Sequence, residues 1–244
     1  MMAIILTGLY PDWWKGCRWD HPVRACACGE SRDAVRELCQ KKFCGEPGDE
    51  SAFGTGTIPK HLLVGKMLSH GAAGALDKIF VKHVSGGNST LSFKSYDQER
   101  TKWQGESVDV IWGDEEPLIE HYYEALARTI ATGGIVYSTF TRLKGLLGAF
   151  PRFSERSIET VRDRLLIPMR MDDAAHLLGP KKRDAALARY PAAQCRARND
   201  GLPLLGSGAE FTVPVENLIA PFRLIGDKLI HETQGEYETR GLAK

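Results

Sequence analysis

Three carboxylates in a row, Asp114-Glu115-Glu116, follow the apolar run Val110-Ile111-Trp112-Gly113 and stop at Pro117. Two adjacent acids suit the chemistry of a magnesium nucleotide: one holds the metal through water and the other polarises the attacking water. That chemistry wants the acids at the carboxyl end of a strand, where open α/β sheets place their ligands. The apolar run has the length of a buried strand bounded by turn signals. Pro117 is placed to open a following helix, where its missing N–H costs nothing. Asp109 to Pro117 is therefore a Walker B pattern. Its plain structural alternative is a buried strand running into an acidic helix start, with the acids favoured by the helix dipole.

The neighbouring elements must hold those acids in place. Pro117 to Ala131 reads as an amphipathic helix, Gly133-Gly134 as a glycine stop, and Ile135 to Thr141 as a second buried strand. Upstream, Lys78–Val84 and Thr90–Tyr96 are β-like runs joined by Ser85-Gly86-Gly87-Asn88, a strong hairpin signal. Leu91 and Phe93 alternate with Ser92 and Lys94, so one face of that second run should be buried. Val23 to Cys28 reads as a short buried strand. Ser31 to Phe43 reads as a helix that Ser31 can cap and Gly45 follows. Residues 1–8 read as a helix tail ended by Gly8. Pro11 to Trp19 is a loop whose Trp13, Trp14 and Trp19 serve to anchor it, or alternatively to stack on DNA bases.

Downstream, Ser154 to Arg164 reads as a helix and Leu165 to Met171 as a strand. Pro180 to Arg189 and Ala192 to Asn199 read as basic amphipathic helices broken at Tyr190-Pro191. Lys181, Lys182, Arg183, Arg189, Arg196 and Arg198 form the densest basic cluster, either a solvated helical face or a contact to DNA backbone. Gly201 to Gly208 is a turn-rich linker, and a loosely ordered tail is expected after Ala220. Gly54-Thr55-Gly56-Thr57 and Gly65-Lys66 invite a phosphate-loop reading, but the G-x4-G-K-[ST] spacing is absent. Both are read as plain loop or helix residues.

The 244 residues allow one large α/β domain, or one plus a small appendage. Thirty-two basic and 31 acidic residues leave a formal charge of +1, so any DNA contact must be local. No apolar run is long enough for a membrane span. Met1 to Leu9 is short, lacks a basic start and runs into Pro11-Asp12-Trp13-Trp14, so it does not read as a signal peptide, and a cytoplasmic location is expected. Five of the six cysteines precede residue 45. Cys26-x-Cys28 and Cys39-x4-Cys44 lack zinc-ribbon spacing, so free thiols are expected and no zinc.

The residues Phe93-Lys94-Ser95-Tyr96-Asp97-Gln98, Trp103-Gln104-Gly105, Asp109 to Pro117, and Ala131-Thr132-Gly133-Gly134 through Ser138-Thr139-Phe140-Thr141 together resemble the large terminase subunit of tailed bacteriophages, the DNA-packaging motor. The resemblance extends to Leu6 through Gly16 and to Gly201 through Gly208, and so covers most of the chain. It implies an α/β fold: an incomplete P-loop NTPase-type (ASCE-like), mainly parallel sheet flanked by helices, with a β-hairpin insertion. It implies a partial ATPase core over 1–150, the remainder of that region with its basic helices over 151–208, and over 209–244 a tail leading towards a nuclease domain that is absent.

By the same resemblance, Asp114 binds Mg²⁺ and Glu115 is the catalytic glutamate that orients water on the γ-phosphate of ATP, with Glu116 a helix-start acid. Ser138, Thr139 and Thr141 fall in the ATP-coupling motif, with Thr139 the best placed to sense the γ-phosphate. The implied partners are double-stranded DNA, a portal protein, a small terminase subunit and further copies in a ring, in the bacterial host cytoplasm and without a membrane. Two departures stand out. Gly113 replaces a bulky apolar residue, which should loosen the aim of the acids, and Arg142 replaces a proline. The phosphate loop and nuclease carboxylates are not found, so the sequence resembles the middle of a terminase that alone hydrolyses ATP negligibly and exposes a sheet edge. A prophage remnant or half of a split motor, a non-catalytic DNA-binding or assembly module, and a zinc-organised module are the competing readings.

Overall fold

The computed structural model describes residues 1–69, 74–98, 105, 107–141, 165, 167, 169–174, 179–191, 194, 195, 198, 199, 222–225, 228–231 and 235–238. They belong to two units, the first built on Met1–Thr141 with Leu147–Leu165, the second on Leu166–Lys244 with Arg142–Leu146. Trp103, Gln104, Arg142 and Arg196 lie outside the described residues, as do the expected helix Ser154–Arg164 and the linker Gly201–Gly208.

The first unit is an α/β fold around one six-stranded sheet. Its strands are β1 (Arg24–Gly29), β2 (Leu63–Leu68), β3 (Leu76–Lys82), β4 (Asn88–Ser95), β5 (Val110–Asp114) and β6 (Ile135–Thr139), in the order β2-β3-β4-β1-β5-β6. The pairings β4–β1, β1–β5 and β5–β6 are parallel, while β2–β3 and β3–β4 are antiparallel. The sheet is therefore mixed and mostly parallel. β1 is central, and its residues after Arg24 are all buried, as a strand covered on both faces requires.

Two expectations need correction here, while the expected hairpin β3–β4 forms and, with β4 paired to β1 from Arg24↔Thr90 to Gly29↔Ser95, carries the sheet outward. Its alternation buries Leu91 and Phe93 on one face, as the sequence implied. Gly65 and Lys66 sit in strand β2, opposite Phe80 and Ile79, because the hairpin offers them an edge to pair with. β6 is half-buried rather than buried, and among the described strands it has β5 as its only neighbour.

Helices close both faces. α1 (Met2–Thr7) buries Met2, Ile5 and Leu6, and ends at Gly8, whose φ of 70° needs a residue without strain in the left-handed region. A Cβ at Gly8 would also lie 2.4 Å from His83 Nε2. One continuous helix, α2, covers residues 32–44 as an α-turn (Arg32–Ala34), a π segment (Val35–Gln40) and a further α-turn (Lys41–Cys44). Ser31 caps it, its side chain accepting from Ala34 N–H at 3.2 Å. Val35, Cys39 and Phe43 enter the core, and the Gln40 amide holds the start of β3 through Gly74 O and Leu76 N–H.

Across the other face lies α3 (Ile119–Ile130), with Tyr122, Ala125 and Thr129 buried. Leu118 is its N-cap, so Pro117 precedes the helix instead of opening it. The chain spends residues 115–118 on the turn from strand to helix. In the loop after α1, Trp14 and Trp19 pack on the core, which fits the anchoring reading, whereas Trp13 is 70% exposed.

Of the expected strand Leu165–Met171, the described residues 165, 167, 169 and 170 have no strand structure. A 3₁₀ turn spans Met171–Ala174 instead, and Asp173 Oδ2 accepts from Arg170 N–H at 2.7 Å, a local bond that competes with strand pairing. α4 (Pro180–Leu187) forms as expected, but it is not amphipathic, since residues 181–187 are all exposed or half-buried. The expected loose tail contains a three-stranded antiparallel sheet, β7 (Phe222–Ile225), β8 (Lys228–His231) and β9 (Gly235–Glu238). No described helix is long and apolar enough to cross a membrane.

His83 ties α1 to the hairpin. It is 1% exposed, its Nδ1 lies 2.7 Å from Ser85 Oγ, and the next amide, Val84 N–H, donates to Thr7 O at 2.9 Å. Burial pushes its imidazole below the usual value; His21 adds to this and Asp20 opposes it. The unfolded chain then binds the proton first, so stability falls as pH drops through about 6.5. Urea midpoints at pH 7.5 and 5.5 should differ less in His83→Asn than in the wild type. Equal differences would remove His83 as the cause.

Candidate functional site

β1, β5 and β6 run parallel, so their carboxyl ends share one sheet edge. Along β5 side chains alternate between faces. Trp112 and Asp114 therefore share a face with their register partners Tyr137 and Thr139, while Gly113 and Ser138 share the other. Thr139 Oγ1 donates to Asp114 Oδ1 at 3.2 Å, and Trp112 Nε1 donates to Thr139 Oγ1 at 3.0 Å. Of the three coupling-motif residues, Thr139 alone meets the acid. Ser138 turns to the opposite face, and Thr141 lies beyond the end of β6.

Glu115 is exposed and has φ of 66°, the one non-glycine residue with a positive φ among those described. Such a backbone costs on the order of 1–3 kcal/mol and persists only where neighbours fix it. Here Glu115 N–H donates to Thr139 O at 2.9 Å, and Tyr96 OH makes a long bond of 3.5 Å to Glu115 O. Glu116 is not an exposed helix-start acid: it is 1% exposed and stands three residues before α3. The left-handed step at Glu115 turns the next residue inward. Asp114 is half-buried, so the three acids occupy three different environments.

Gly113 does not leave the strand loose. A Cβ there would lie 2.5 Å from Tyr96 Oη and 2.9 Å from Ser138 Oγ, so the space of a larger residue is already filled from outside the strand. The Tyr96 ring packs on His121, with centroids 5.4 Å apart. A residual cavity of about 10 Å³ remains between Cys28, Tyr96, Gly113, His121 and Ser138. That is about the space of one water.

Burial disfavours the charged form of four groups near the acids, Cys28, Cys39, Tyr96 and Tyr137. Burial pushes the Cys39 thiol up to about 12, and the Asp114 carboxylate adds to it. Burial likewise raises the Tyr96 and Tyr137 phenols. Cys26 and Cys28 lie on one face of β1 with their sulfurs 3.4 Å apart, and burial raises the Cys28 thiol. Among the described residues no three His, Cys, Asp or Glu side chains gather as a closed metal cage. Mg²⁺ at nucleotide sites does not need one: it takes one or two carboxylates and completes its shell with water and phosphate. Asp114 and Glu115 fit that donor set.

The basic cluster lies in the second unit. Lys181, Lys182 and Arg189 are exposed, Arg183 pairs with Asp184 at 3.2 Å, and Arg198 stacks 4.0 Å from the centre of the Tyr190 ring.

A family profile described as "Terminase large subunit, T4likevirus-type, N-terminal" matches residues 20–217. The chain is similar to the large terminase subunit of Salmonella phage P22, with 32% identity over 234 residues that cover 89% of this chain and 46% of that protein. It is also similar to the large terminase subunit of Enterobacteria phage LP7, with 25% identity over 201 residues covering 78% and 39% respectively. Its fold is similar to that of a large terminase from a thermophilic bacteriophage, with a TM-score of 0.51 and 15% identity over 75% of this chain and 42% of that one. The chain spans less than half the length of either curated relative.

The packing over Gly113 is open to a direct test. Gly113→Ala should destabilise the chain by about 1–3 kcal/mol through overpacking. In a Tyr96→Phe background, which removes the nearest atom, the same change should cost less. Equal penalties in both backgrounds, measured by denaturant unfolding, would show that Tyr96 is not the obstacle.

Proposed function

The chain belongs to the terminase large subunit family, and from that membership we propose that it carries the acidic half of the nucleotide site of an ATP-driven motor that packages viral DNA. The observation that carries this reading is the Asp114–Thr139 bond of 3.2 Å at the ends of two adjacent parallel strands, with Glu115 exposed beside it. Asp114 would hold Mg²⁺ through its water shell. Glu115, on its strained turn, would orient the water that attacks the γ-phosphate. The Thr139 hydroxyl bonds Asp114 directly, which would suit a residue that senses changes at the acid when phosphate is lost. Double-stranded DNA, a portal protein, a small terminase subunit and further copies in a ring are the partners such a motor takes, in the cytoplasm of a bacterial host.

Hydrolysis also needs backbone N–H groups and a lysine around the β- and γ-phosphates. No G-x4-G-K-[ST] loop occurs in the 244 residues. Lacking that stabilisation, the chain by itself should turn over ATP on the order of 10³-fold more slowly than a complete site, or worse. Calorimetric titration with Mg²⁺-ATP should give weak binding that Asp114→Asn/Glu115→Gln weakens further, without turnover. Binding untouched by the double change would put the nucleotide elsewhere. No binding in either protein would favour a non-catalytic DNA-binding or assembly role.

The exposure of Lys181, Lys182 and Arg189 supports a DNA-backbone contact in the second unit. Each phosphate contact contributes about 0.9 to the slope of log affinity on log salt. Lys181→Glu/Lys182→Glu should therefore lower that slope by about 2 across unrelated DNA sequences. An unchanged slope would return α4 to a solvated helical face.

A further inference from the structure

We propose that Trp112 is a positioning residue for the Asp114 carboxylate, acting through the Thr139 hydroxyl; this rests on the reading of Asp114 as the metal-binding acid. Chemistry alone fixes the direction of both bonds. Indole Nε1 is only a donor and an ionised carboxylate only an acceptor, while a hydroxyl has one proton and two lone pairs. Trp112 at 3.0 Å must therefore occupy a lone pair of Thr139 Oγ1, and Thr139 must give its single proton to Asp114 Oδ1 at 3.2 Å. One lone pair of Oδ1 is thereby occupied, which fixes the plane of the carboxylate and leaves Oδ2 for other use. Without the indole, the threonine rotor could turn its proton away and the carboxylate could rotate.

The donor is itself immobilised. Trp112 is 6% exposed, meets Phe43 of α2 edge-on with centroids 5.6 Å apart, and lies nearly parallel to Tyr137 at 6.3 Å. Lys42 Nζ stands 5.4 Å from the indole centre. A tryptophan needed only as core filler would not have to aim its N–H at the hydroxyl that bonds the acid. Groups that orient a metal ligand in this way typically change metal affinity 10–100-fold when removed.

The test uses the full chain and reads the Trp112 indole N–H resonance, assigned among the five tryptophans by ¹⁵N NMR. Asp114→Asn should shift that resonance although the two side chains are bridged only by Thr139. The shift should vanish when Asp114→Asn is made in Thr139→Val. Binding of Mn²⁺ alone, read by electron paramagnetic resonance, should weaken about 10-fold in Thr139→Val and in Trp112→Phe. The double variant should be no weaker than Thr139→Val. An unmoved resonance in Asp114→Asn, or effects of Trp112→Phe and Thr139→Val that multiply, would overturn the proposal. A resonance that moves while Mn²⁺ binding ignores Asp114→Asn would instead overturn the metal reading and leave the relay intact.

Discussion

The parallel register of β5 on β6 is the constraint on which the acidic edge depends. It sets Asp114 opposite Thr139 and Trp112 opposite Tyr137, and it sends Gly113 and Ser138 to the opposite face. A slip of one residue would invert every side chain. Size forbids that slip. The face above Gly113 has no room even for a Cβ beneath Tyr96 Oη, so Trp112 could not take that side. The opposite face, with Phe43 and Tyr137, offers a bulky aromatic slot that glycine would leave empty. The alternation large–small–acid in Trp112-Gly113-Asp114 therefore encodes register as well as chemistry.

That register also explains how Glu115 is held. The left-handed step lies one residue beyond the Asp114↔Thr139 pair, and the Glu115 amide is caught by Thr139 O. The strain is thus borne by the strand that supplies the Asp114 partner, and Tyr96 approaches from the opposite side. One backbone turn does two things at once: it leaves Glu115 exposed and carries Glu116 into the interior. Burial raises the pKa of the nearby Cys39 thiol and of the Tyr96 and Tyr137 phenols, so these groups add no negative charge to the edge.

Most of the first unit is legible in the sequence because its signals are local. A short apolar run before three acids, a serine before a helical period and a glycine-rich turn each name their element without reference to distant residues. What stays hidden depends on partners far along the chain. Gly65 and Lys66 read as loop or helix because only the neighbouring hairpin makes them part of a strand. Gly113 reads as a weak point because the filling groups, Tyr96 and Ser138, come from other elements. Pro117 reads as a helix start because the turn at Glu115 cannot be deduced from residue types. The sheet over 222–238 does carry a local signal: Phe222–Ile225 and Lys228–His231 flank a two-residue Gly226-Asp227 spacer, a hairpin spelling that the low hydrophobic contrast around it obscures. The roles of Asp114, Glu115 and Thr139 come from resemblance, and the geometry adds only that two of the three share a face.

The acid is also linked to the far side of the sheet through one helix. α2 touches the site at Phe43, against Trp112, and at the other side Gln40 bonds the start of β3. Between Val35 and Gln40 that helix is wound as π, a wider turn that often marks functional positions. The helix therefore spans from the indole that aims Thr139 to the strand that begins the hairpin. Energetic coupling along such a line requires an element with two discrete arrangements. The π segment is the part of α2 whose winding departs from its neighbours, and it ends at Gln40, just before the α-wound residues that carry Phe43. Val35, Cys39 and Phe43 are buried in the core, and the same stretch of helix thus carries both the Gln40 bonds to β3 and the Phe43 contact to Trp112.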